Sequence, residues 1–444
     1  MISEKALKSV SVIGVFMLAV IMGAFLMHKQ IQPAPFFKDA FVGGEALVEK
    51  MLTNKRSELK VNMWQRLRFL ETGMVTHNPA RAYNGYTMVT NAAFSGAWLL
   101  DMKGEIVHQW KAPFRKVWPK APHVDMPVKE ELIYWRRAWL YPNGDVLAIY
   151  EANGDTPWGY GLAKLDKDSN VLWSFAERTH HDMFVDEEGK IYLLTHRILK
   201  NPPRYMNFVE APYIDDSIVI LSPEGKELDR ISIVEAYHRS IFMNDLYMLA
   251  FGRQYDGNFL HVNTVKVIPQ KMDGVLPFLK KGYITFASRN LNIAGIIDPK
   301  EKKLVWRQTG SWIFLHDPEF TMDGTVILFD NYGDYMRSGT SRVIEYNPLD
   351  MSIVWEWHGQ EDRPLHSQLR GFKQILPNGN LLVTEADSGR LLEVTRDKEI
   401  VWEYINPERK TSNGRMSIAV LSGARRFTPD QLPFLDEVAK PKVD

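Results

Sequence analysis

The chain of 444 residues contains no cysteine. Disulfide bonds, thiolate nucleophiles and cysteine metal ligands are therefore excluded together. The chain also lacks an excess of charge of either sign, because 54 Lys and Arg balance 54 Asp and Glu. This balance argues against binding nucleic acid or another polyanion through bulk charge. Aromatic residues are plentiful instead, with 13 Trp and 17 Tyr, and such residues suit sheet surfaces and apolar pockets.

A long run of uncharged residues lies near the N-terminus, from Ser9 to Met27. As a helix rising about 1.5 Å per residue, this run would span roughly 28 Å, the thickness of a bilayer core. Lys5 and Lys8 precede it and favour a cytoplasmic N-terminus. We therefore expect residues 1–29 to be an inner-membrane anchor, with the rest of the chain on the periplasmic or extracellular side. A cleaved signal peptide is the alternative.

The segments that flank the main domain have their own signatures. Residues 30–83 begin with a proline-containing extended connector, and apolar residues at helical spacing among many charges predict a stalk helix over 44–70. At the other end, residues 431–444 form a predicted C-terminal tail. The sequence gives no indication of the oligomeric state.

One repeat places a distinctive residue eight positions before the glycine of a turn, and a strand follows each turn. Its four copies are Arg136 with Gly144, His181 with Gly189, His316 with Gly324, and Gly371 with Gly379. In a radial array of such hairpins, equivalent positions converge on one axis. Because two of the four positions are histidines, we expect the chemistry at that axis.

A second repeat is an apolar strand, a polar turn and a strand that ends in tryptophan. Its copies end at Trp110, Trp173, Trp306, Trp355 and Trp402, with a degenerate sixth copy ending at Ile231. Together the two repeats give about four strands per unit and predict an all-β, six-bladed β-propeller over residues 84–430. Seven or eight blades are the alternative. The first Trp copy precedes the first glycine-turn copy, so we expect the N-terminal strands to complete the last blade, which protects sheet edges.

Several segments occur in a distinctive order along this region: THHD at His181, LHVN at His261, SRN at Arg289, LHDP at His316 with FDN after it, and LPNGN. In this order they resemble the bacterial arylsulfate sulfotransferase family, which works without phosphoadenosine phosphosulfate. The resemblance implies a six-bladed propeller with the active site on its axis. It also implies an aryl sulfate donor and a hydroxyl acceptor as small-molecule partners. The chain lacks the separate N-terminal sheet domain and the cysteine pair of the family.

The resemblance also implies roles for individual residues. His316 would accept the sulfuryl group, while His181, His261 and Arg289 would hold its oxygens. Asn263 would add a polar contact. We place His366 and Arg136 with them as candidate substrate-binding residues that line the pore.

The chemistry is consistent with these residue types. Sulfuryl transfer passes through a loose state with charge spread over three oxygens, much as in phosphoryl transfer. A neutral imidazole can act as the nucleophile and divide one hard step into two. Cations around the oxygens can each contribute roughly 2–4 kcal/mol when preorganised. No metal ion or diffusible cofactor is then required.

Other interpretations remain open for the sequence. A histidine at a strand start is often a structural group, as we expect for His180, and three converging histidines can instead bind Zn²⁺. Arg342 is expected to form a structural ion pair. At the level of function, the alternatives are a non-catalytic propeller scaffold and a metal- or quinone-dependent oxidoreductase propeller. A scaffold would be unaffected by loss of the histidines, and the oxidoreductase would need an acidic calcium site that the sequence does not display.

Overall fold

The computed structural model describes residues 4–29, 31, 36, 63–155, 157–201, 203–206, 209, 212–247, 258–333, 340–412 and 414–438. The chain divides into two units, Met1–Lys60 and Val61–Asp444. In the first unit a helix, α1, covers Glu4–His28. Across the described ranges, no helix has both the length and the apolar character that a membrane crossing requires. Most of the predicted stalk lies outside the described residues.

The second unit is built mainly from antiparallel sheets in which each strand pairs with the next one along the chain. Two of these sheets are formed by β6 (Ile133–Leu140), β7 (Val146–Ala152), β8 (Gly159–Leu165) and β9 (Val171–Phe175), and by β10 (Thr179–Val185), β11 (Ile191–Leu199), β12 (Tyr213–Leu221) and β13 (Glu227–Ser232). Two more are formed by β14 (Val262–Val267), β15 (Ile284–Ser288), β16 (Ile293–Asp298) and β17 (Lys303–Thr309), and by β18 (His316–Phe320), β19 (Val326–Asp330), β20 (Arg342–Tyr346) and β21 (Ile353–Trp357).

The last two of the large sheets combine strands from distant parts of the chain. One contains β22 (Phe372–Ile375), β23 (Leu381–Glu385), β24 (Arg390–Val394) and β25 (Ile400–Ile405), with β2 (Gly73–His77) as a fifth strand. The other contains β3 (Tyr86–Asn91), β4 (Gly96–Leu100) and β5 (Ile106–Lys111), and its first strand is β28 (Leu421–Phe427) from the far end of the chain. The prediction that N-terminal strands share a sheet with the last part of the chain is therefore confirmed.

The apolar core lies between neighbouring sheets. In β7, Leu147 and Ile149 pack against the sheet of β10–β13, while Ala148 and Tyr150 pack against the sheet that contains β28. The same arrangement recurs through the described part of this unit, so that six buried clusters separate the six sheets in cyclic order. The first strands also contact one another, from β6 through β10, β14, β18 and β22 to β28 and back to β6. This cyclic order of four-stranded sheets is consistent with the predicted β-propeller.

The structure corrects the predicted boundaries of this domain. The predicted helix over 44–70 is wrong where its residues are described, because β1 (Trp64–Arg66) is a strand that pairs with β27 (Arg415–Ala419), itself paired with β26 (Arg409–Ser412). Since β2 joins a large sheet, the sheets begin before the predicted start at residue 84. In the predicted tail, Leu432 and Phe434 are buried in the core.

Short helices connect the strands. The α-helices are α2 (Phe114–Val117), α3 (Ile233–His238) and α4 (Phe434–Val438), and 3₁₀ turns cover Glu130–Leu132, Arg204–Met206, Gln270–Met272, Ala386–Ser388 and Pro429–Gln431.

Candidate functional site

The first strand of most large sheets is interrupted by a bulge close to its start. The register shifts at Arg136 in β6, next to His181 in β10, at Asn263 in β14 and after His316 in β18. A bulge re-aims side chains and is often found beside active sites. His181 and His261 also have positive φ angles, 54° and 50°, which cost energy for residues other than glycine. The sheets therefore hold these side chains in unusual directions at one edge.

A cavity of about 210 Å³ lies at this edge. Three of the four predicted catalytic residues line it, namely His181, His261 and Arg289, together with Arg136. The other polar or aromatic lining residues include Tyr134, Glu151, Asn153, Asp155, Trp158 and Arg370. Two of the four repeat positions recognised in the sequence, Arg136 and His181, therefore lie at one cavity although they belong to different sheets.

His316 lies next to these groups but does not line the cavity, since its side chain is only 2% exposed. Its Nδ1 lies 3.0 Å from the carbonyl oxygen of Phe314 and 2.7 Å from Oδ1 of Asn331. Both oxygens are acceptors, because the Asn331 amide nitrogen donates to the carbonyls of Ser367 and Arg370. Nδ1 must therefore carry the proton. Nε2 keeps a bare lone pair and has no hydrogen-bond partner among the described residues.

The electrostatic surroundings keep His316 neutral. Burial, aided by the charges of Arg136 and Arg289, lowers the pKa of His316 from 6.5 to about 3. The two hydrogen bonds of Nδ1 oppose this shift but do not cancel it. The charged forms of His181 and His261 would also repel a proton on His316, as their own lowered pKa values show. At neutral pH, Nε2 is therefore unprotonated.

His181 and His261 lie with their ring centres 5.0 Å apart. Burial lowers the pKa of both rings well below 6.5, and Arg289 lowers that of His261 further. Each Nδ1 faces a donor: the Trp158 indole nitrogen lies 3.4 Å from that of His181, and the Asn258 amide nitrogen lies 2.8 Å from that of His261. Because these partners donate, each neutral ring carries its proton on Nε2. Both histidines are therefore neutral donors.

The two arginines differ in how far their charge is neutralised. Arg136 donates from Nη1 to the Ser422 carbonyl at 2.8 Å, and its Nε lies 3.6 Å from Glu151. The guanidinium of Arg289 instead lies over the ring of Phe314, 4.2 Å from its centre, and its Nε has no partner among the described residues. Burial lowers the pKa of Arg289, but an arginine remains a cation at any physiological pH. Arg289 is thus a cation available to an anionic ligand.

The remaining predicted residues lie elsewhere. Asn263 donates to the Leu315 carbonyl at 2.8 Å and accepts from Thr264, so it braces the residue before His316 and does not line the cavity. His366 is also absent from the cavity lining, and its backbone N–H donates to Glu385. Arg342 forms the expected ion pair, with Nε 2.9 Å from Asp330.

Sequence reasoning missed several residues that shape the site. Glu151 accepts the backbone N–H of His181 at 2.7 Å, and Tyr134 donates to the same carboxylate at 2.7 Å. A second fixed offset, counted forward from the turn glycine, would have found Glu151. The two strands of each hairpin are antiparallel, so the end of the second strand lies beside the start of the first. Glu151, His196, Arg289 and Asn331 lie seven positions after Gly144, Gly189, Gly282 and Gly324, which are all glycines with positive φ.

A buried, unprotonated imidazole nitrogen beside cations and neutral hydrogen-bond donors is typical of an enzyme that transfers a group from an anionic substrate. The chain belongs to the arylsulfotransferase (ASST) family, whose sequence profile matches residues 137–407, more than half of the chain. It is accordingly an enzyme of the arylsulfotransferase type.

Comparison with solved structures gives more distant likenesses. A protein of unknown function from Bacteroides caccae is 11% identical with a TM-score of 0.47, and the match covers 77% of this chain and 98% of that one. Virginiamycin B lyase from Staphylococcus aureus is 9% identical with a TM-score of 0.35, and the match covers 61% of this chain and 69% of that one. The WD40 β-propeller domain of Doa1 is 8% identical with a TM-score of 0.38, and the match covers 83% of this chain and 99% of that one. At these TM-scores none of them defines the function of this chain. No curated protein matches it in sequence.

Proposed function

We propose that this enzyme moves a sulfuryl group from an aryl sulfate ester to an alcohol or phenol through a covalent sulfohistidine on His316. The observation that carries the proposal is the tautomer of His316. Its Nδ1–H is held by two acceptors, so the lone pair of Nε2 stays free, and the charges of Arg136 and Arg289, which line the cavity, act on this ring. A nucleophile needs this combination of an unprotonated nitrogen and a fixed direction.

In the first half-reaction, Nε2 of His316 attacks sulfur and the bond from sulfur to the aryl oxygen breaks. The imidazole ring gains positive charge, which the carbonyl of Phe314 and Oδ1 of Asn331 stabilise through Nδ1–H. Arg289 and the Nε2–H groups of His181 and His261 supply the positive charge and donors for the sulfuryl oxygens. Each preorganised donor contributes roughly 2–4 kcal/mol in comparable sites.

In the second half-reaction, the acceptor oxygen attacks the same sulfur and the bond to Nε2 breaks. The acceptor loses one proton and the departed phenolate gains one, so the overall reaction is proton-neutral. His316 returns to its neutral form, and no metal or redox group takes part in these steps. The two half-reactions give ping-pong kinetics.

The sheet count and the location are part of the proposal. The cyclic order of the six sheets supports a six-bladed propeller with the cavity near its axis. The uncharged run Ser9–Met27 motivates an inner-membrane location with the propeller on the periplasmic or extracellular side. Fractionation of cells that express the full chain tests the location, and recovery of the chain in the wash fractions at high salt would reject it.

A direct assay tests the reaction. The purified full-length protein is mixed with 4-nitrophenyl sulfate and phenol, and we expect nitrophenol release that depends on phenol, together with phenyl sulfate detected by mass spectrometry. His108→Asn is the matched control, since His108 is a half-buried histidine that contacts Trp110 and the Lys167 carbonyl and does not line the cavity. If no aryl sulfate is turned over and replacing the three site histidines changes nothing, the scaffold interpretation is correct.

A further inference from the structure

A second group of polar side chains lies next to His181, deeper in the protein. His180, His196 and Asp216 are 0%, 2% and 2% exposed, and one ligand atom from each lies within 4.8 Å of the others. The rings of His180 and His196 stack with centres 4.5 Å apart. The proposed reaction uses none of these three residues.

Two of the three side chains have buried nitrogens without hydrogen bonds. Both ring nitrogens of His196 and Nε2 of His180 lack a hydrogen-bond partner among the described residues. A buried polar atom without a partner costs about 1–3 kcal/mol, and native proteins rarely keep several of them in one place. The cluster therefore has the donor atoms for a ligand.

The protonation pattern of His180 follows from its neighbours. An indole nitrogen can only donate, so Nδ1 of His181 accepts from Trp158. Nδ1 of His180 lies 2.8 Å from the same Nδ1 of His181, so His180 must donate to it. In a neutral His180 the other nitrogen, Nε2, then has a bare lone pair. That lone pair faces Oδ1 of Asp216 at 3.4 Å.

A lone pair that faces a buried carboxylate oxygen is repulsive unless a cation lies between the two atoms. A proton on Nε2 would satisfy this pair, but it would leave both nitrogens of His196 without a partner. A metal ion satisfies Nε2 and the carboxylate oxygen, and it also binds one nitrogen of His196 when that ring turns out of its stack with His180, because the in-plane lone pairs of stacked rings do not converge. The second oxygen of Asp216 is already fixed, because it accepts the backbone N–H of Val262 at 3.0 Å.

The ligand types and the spacing of one ligand pair agree with a metal ion of the zinc type. Zn²⁺ binds imidazole nitrogen and carboxylate oxygen at about 2.0–2.1 Å, which sets ligand atoms of a tetrahedral site about 3.3 Å apart. His180 Nε2 and Asp216 Oδ1 already have this spacing. Imidazole ligands favour zinc and its first-row neighbours over Mg²⁺ or Ca²⁺, which prefer oxygen.

We propose that His180, His196 and Asp216 bind one divalent first-row metal ion, of which Zn²⁺ is the reference, next to His181. The site departs from the expectation, drawn from the sequence, that no metal is needed. Coordination through Nε2 fixes the Nδ1–H of His180 toward His181, and this in turn keeps the Nε2–H of His181 available to the cavity. The ion also adds two positive charges near a cavity that receives an anion. It performs no step of the transfer itself.

The test measures metal content and does not depend on activity. The purified full-length protein is stripped with a chelator, incubated with Zn²⁺, dialysed and analysed by elemental mass spectrometry. We expect about one Zn²⁺ per chain and a rise in the midpoint temperature of thermal unfolding on metal addition. His196→Asn should retain less than about a tenth of the metal, and its unfolding midpoint should no longer respond to Zn²⁺.

Two further variants keep the result interpretable. Asp216→Asn keeps the size of the side chain and its acceptor for Val262, so it should fold while losing most of the metal if His196→Asn fails to fold. His123→Asn is the control, because His123 also has a buried nitrogen without a hydrogen bond but belongs to no such cluster, and it should bind a full equivalent. If wild-type protein binds no stoichiometric Zn²⁺, Mn²⁺, Co²⁺ or Ni²⁺, or if both cluster variants keep the metal, the cation on His180 is a proton and the proposal is wrong.

Discussion

Two cavities lined by the first strands of the sheets hold charged groups in opposite ways. In the cavity at the starts of the strands, Arg289 forms no ion pair with a carboxylate of the described residues, whereas a second cavity of about 190 Å³ is lined farther along the same strands by Lys266, Lys373 and Glu319. Lys373 is 0% exposed, and its Nζ lies 2.9 Å from Glu319 and 3.4 Å from Asp317. Among the described residues, Arg289 is thus an unpaired cation of the first cavity, whereas Lys266, Lys373 and Arg137 of the second cavity are paired with carboxylates.

The pKa directions express this difference. Burial disfavours the charged form of Lys266, yet Asp317 and Glu319 outweigh burial and raise its pKa. At Arg289 and His316, burial lowers the pKa and no carboxylate compensates. Paired charges in a low-dielectric interior hold the fold together only while both partners are present. Uncompensated cations cost stability and are kept where an anionic ligand supplies the missing charge.

The largest expected effect belongs to His316. His316→Asn removes the nucleophile, and we expect transfer to fall by at least about 10⁴-fold, as for other covalent catalysts that lose their nucleophile. The midpoint of thermal unfolding should stay within a few degrees of wild type, and steady-state assays with 4-nitrophenyl sulfate measure the loss. Turnover within tenfold of wild type in His316→Asn would remove His316 from the mechanism.

Arg289 is expected to give the next largest effect on activity. Arg289→Gln should slow transfer several hundred-fold, which corresponds to roughly 3–4 kcal/mol for one charge-stabilising contact. Arg137→Gln is the matched variant from the second cavity, where the arginine Nε lies 3.1 Å from Asp182. Its transfer rate should stay within about threefold of wild type. Equal losses of activity in the two variants would contradict the division between the cavities.

The second cavity should respond through stability. Lys373→Met leaves the charges of Asp317 and Glu319 with Lys266 alone, and we expect the free energy of unfolding to fall by about 3 kcal/mol. Urea unfolding measures the change, and the double variant Lys373→Met with Glu319→Gln should recover part of it. A single variant as stable as wild type would show that these ion pairs contribute nothing.

A smaller effect concerns acid. Because the folded pKa of His316 is about 3 and the unfolded value is 6.5, the unfolded state binds the proton first. The stability that comes from a neutral His316 is therefore complete above about pH 6.5 and is lost as pH falls toward 3, at about 1.4 kcal/mol per pH unit. Between pH 6.5 and 5, wild type should lose about 2 kcal/mol more than His316→Asn does. Identical pH dependence of urea unfolding in the two proteins would show that burial of His316 has no such consequence.

The repeats in the sequence predicted much of the fold and part of the site. The glycine turns mark hairpins because they require positive φ, as Gly144 and Gly189 show, so the strands that follow are a local property. The offset of eight positions predicted the convergence of Arg136 and His181 because bulges recur at one place in the first strands.

Other features depend on contacts that no local pattern encodes. The strand Trp64–Arg66 forms because it pairs with Arg415–Ala419, and the residues next to it in the sequence do not predict that pairing. Side-chain packing between sheets buries His316 outside the cavity lining. It also places the Asn263 amide where it donates to the Leu315 carbonyl. The cluster of His180, His196 and Asp216 likewise needs three adjacent strands to be in register.

The most direct test of the account is the mass of the protein after one half-reaction. Wild-type protein is mixed with an aryl sulfate in the absence of an acceptor, and its intact mass is recorded, followed by peptide mapping. The account predicts an added mass of about 80 Da, one SO₃ group, on His316, which disappears when phenol is added. An added group on another residue, or no added mass while the enzyme turns over normally, would contradict the sulfohistidine mechanism.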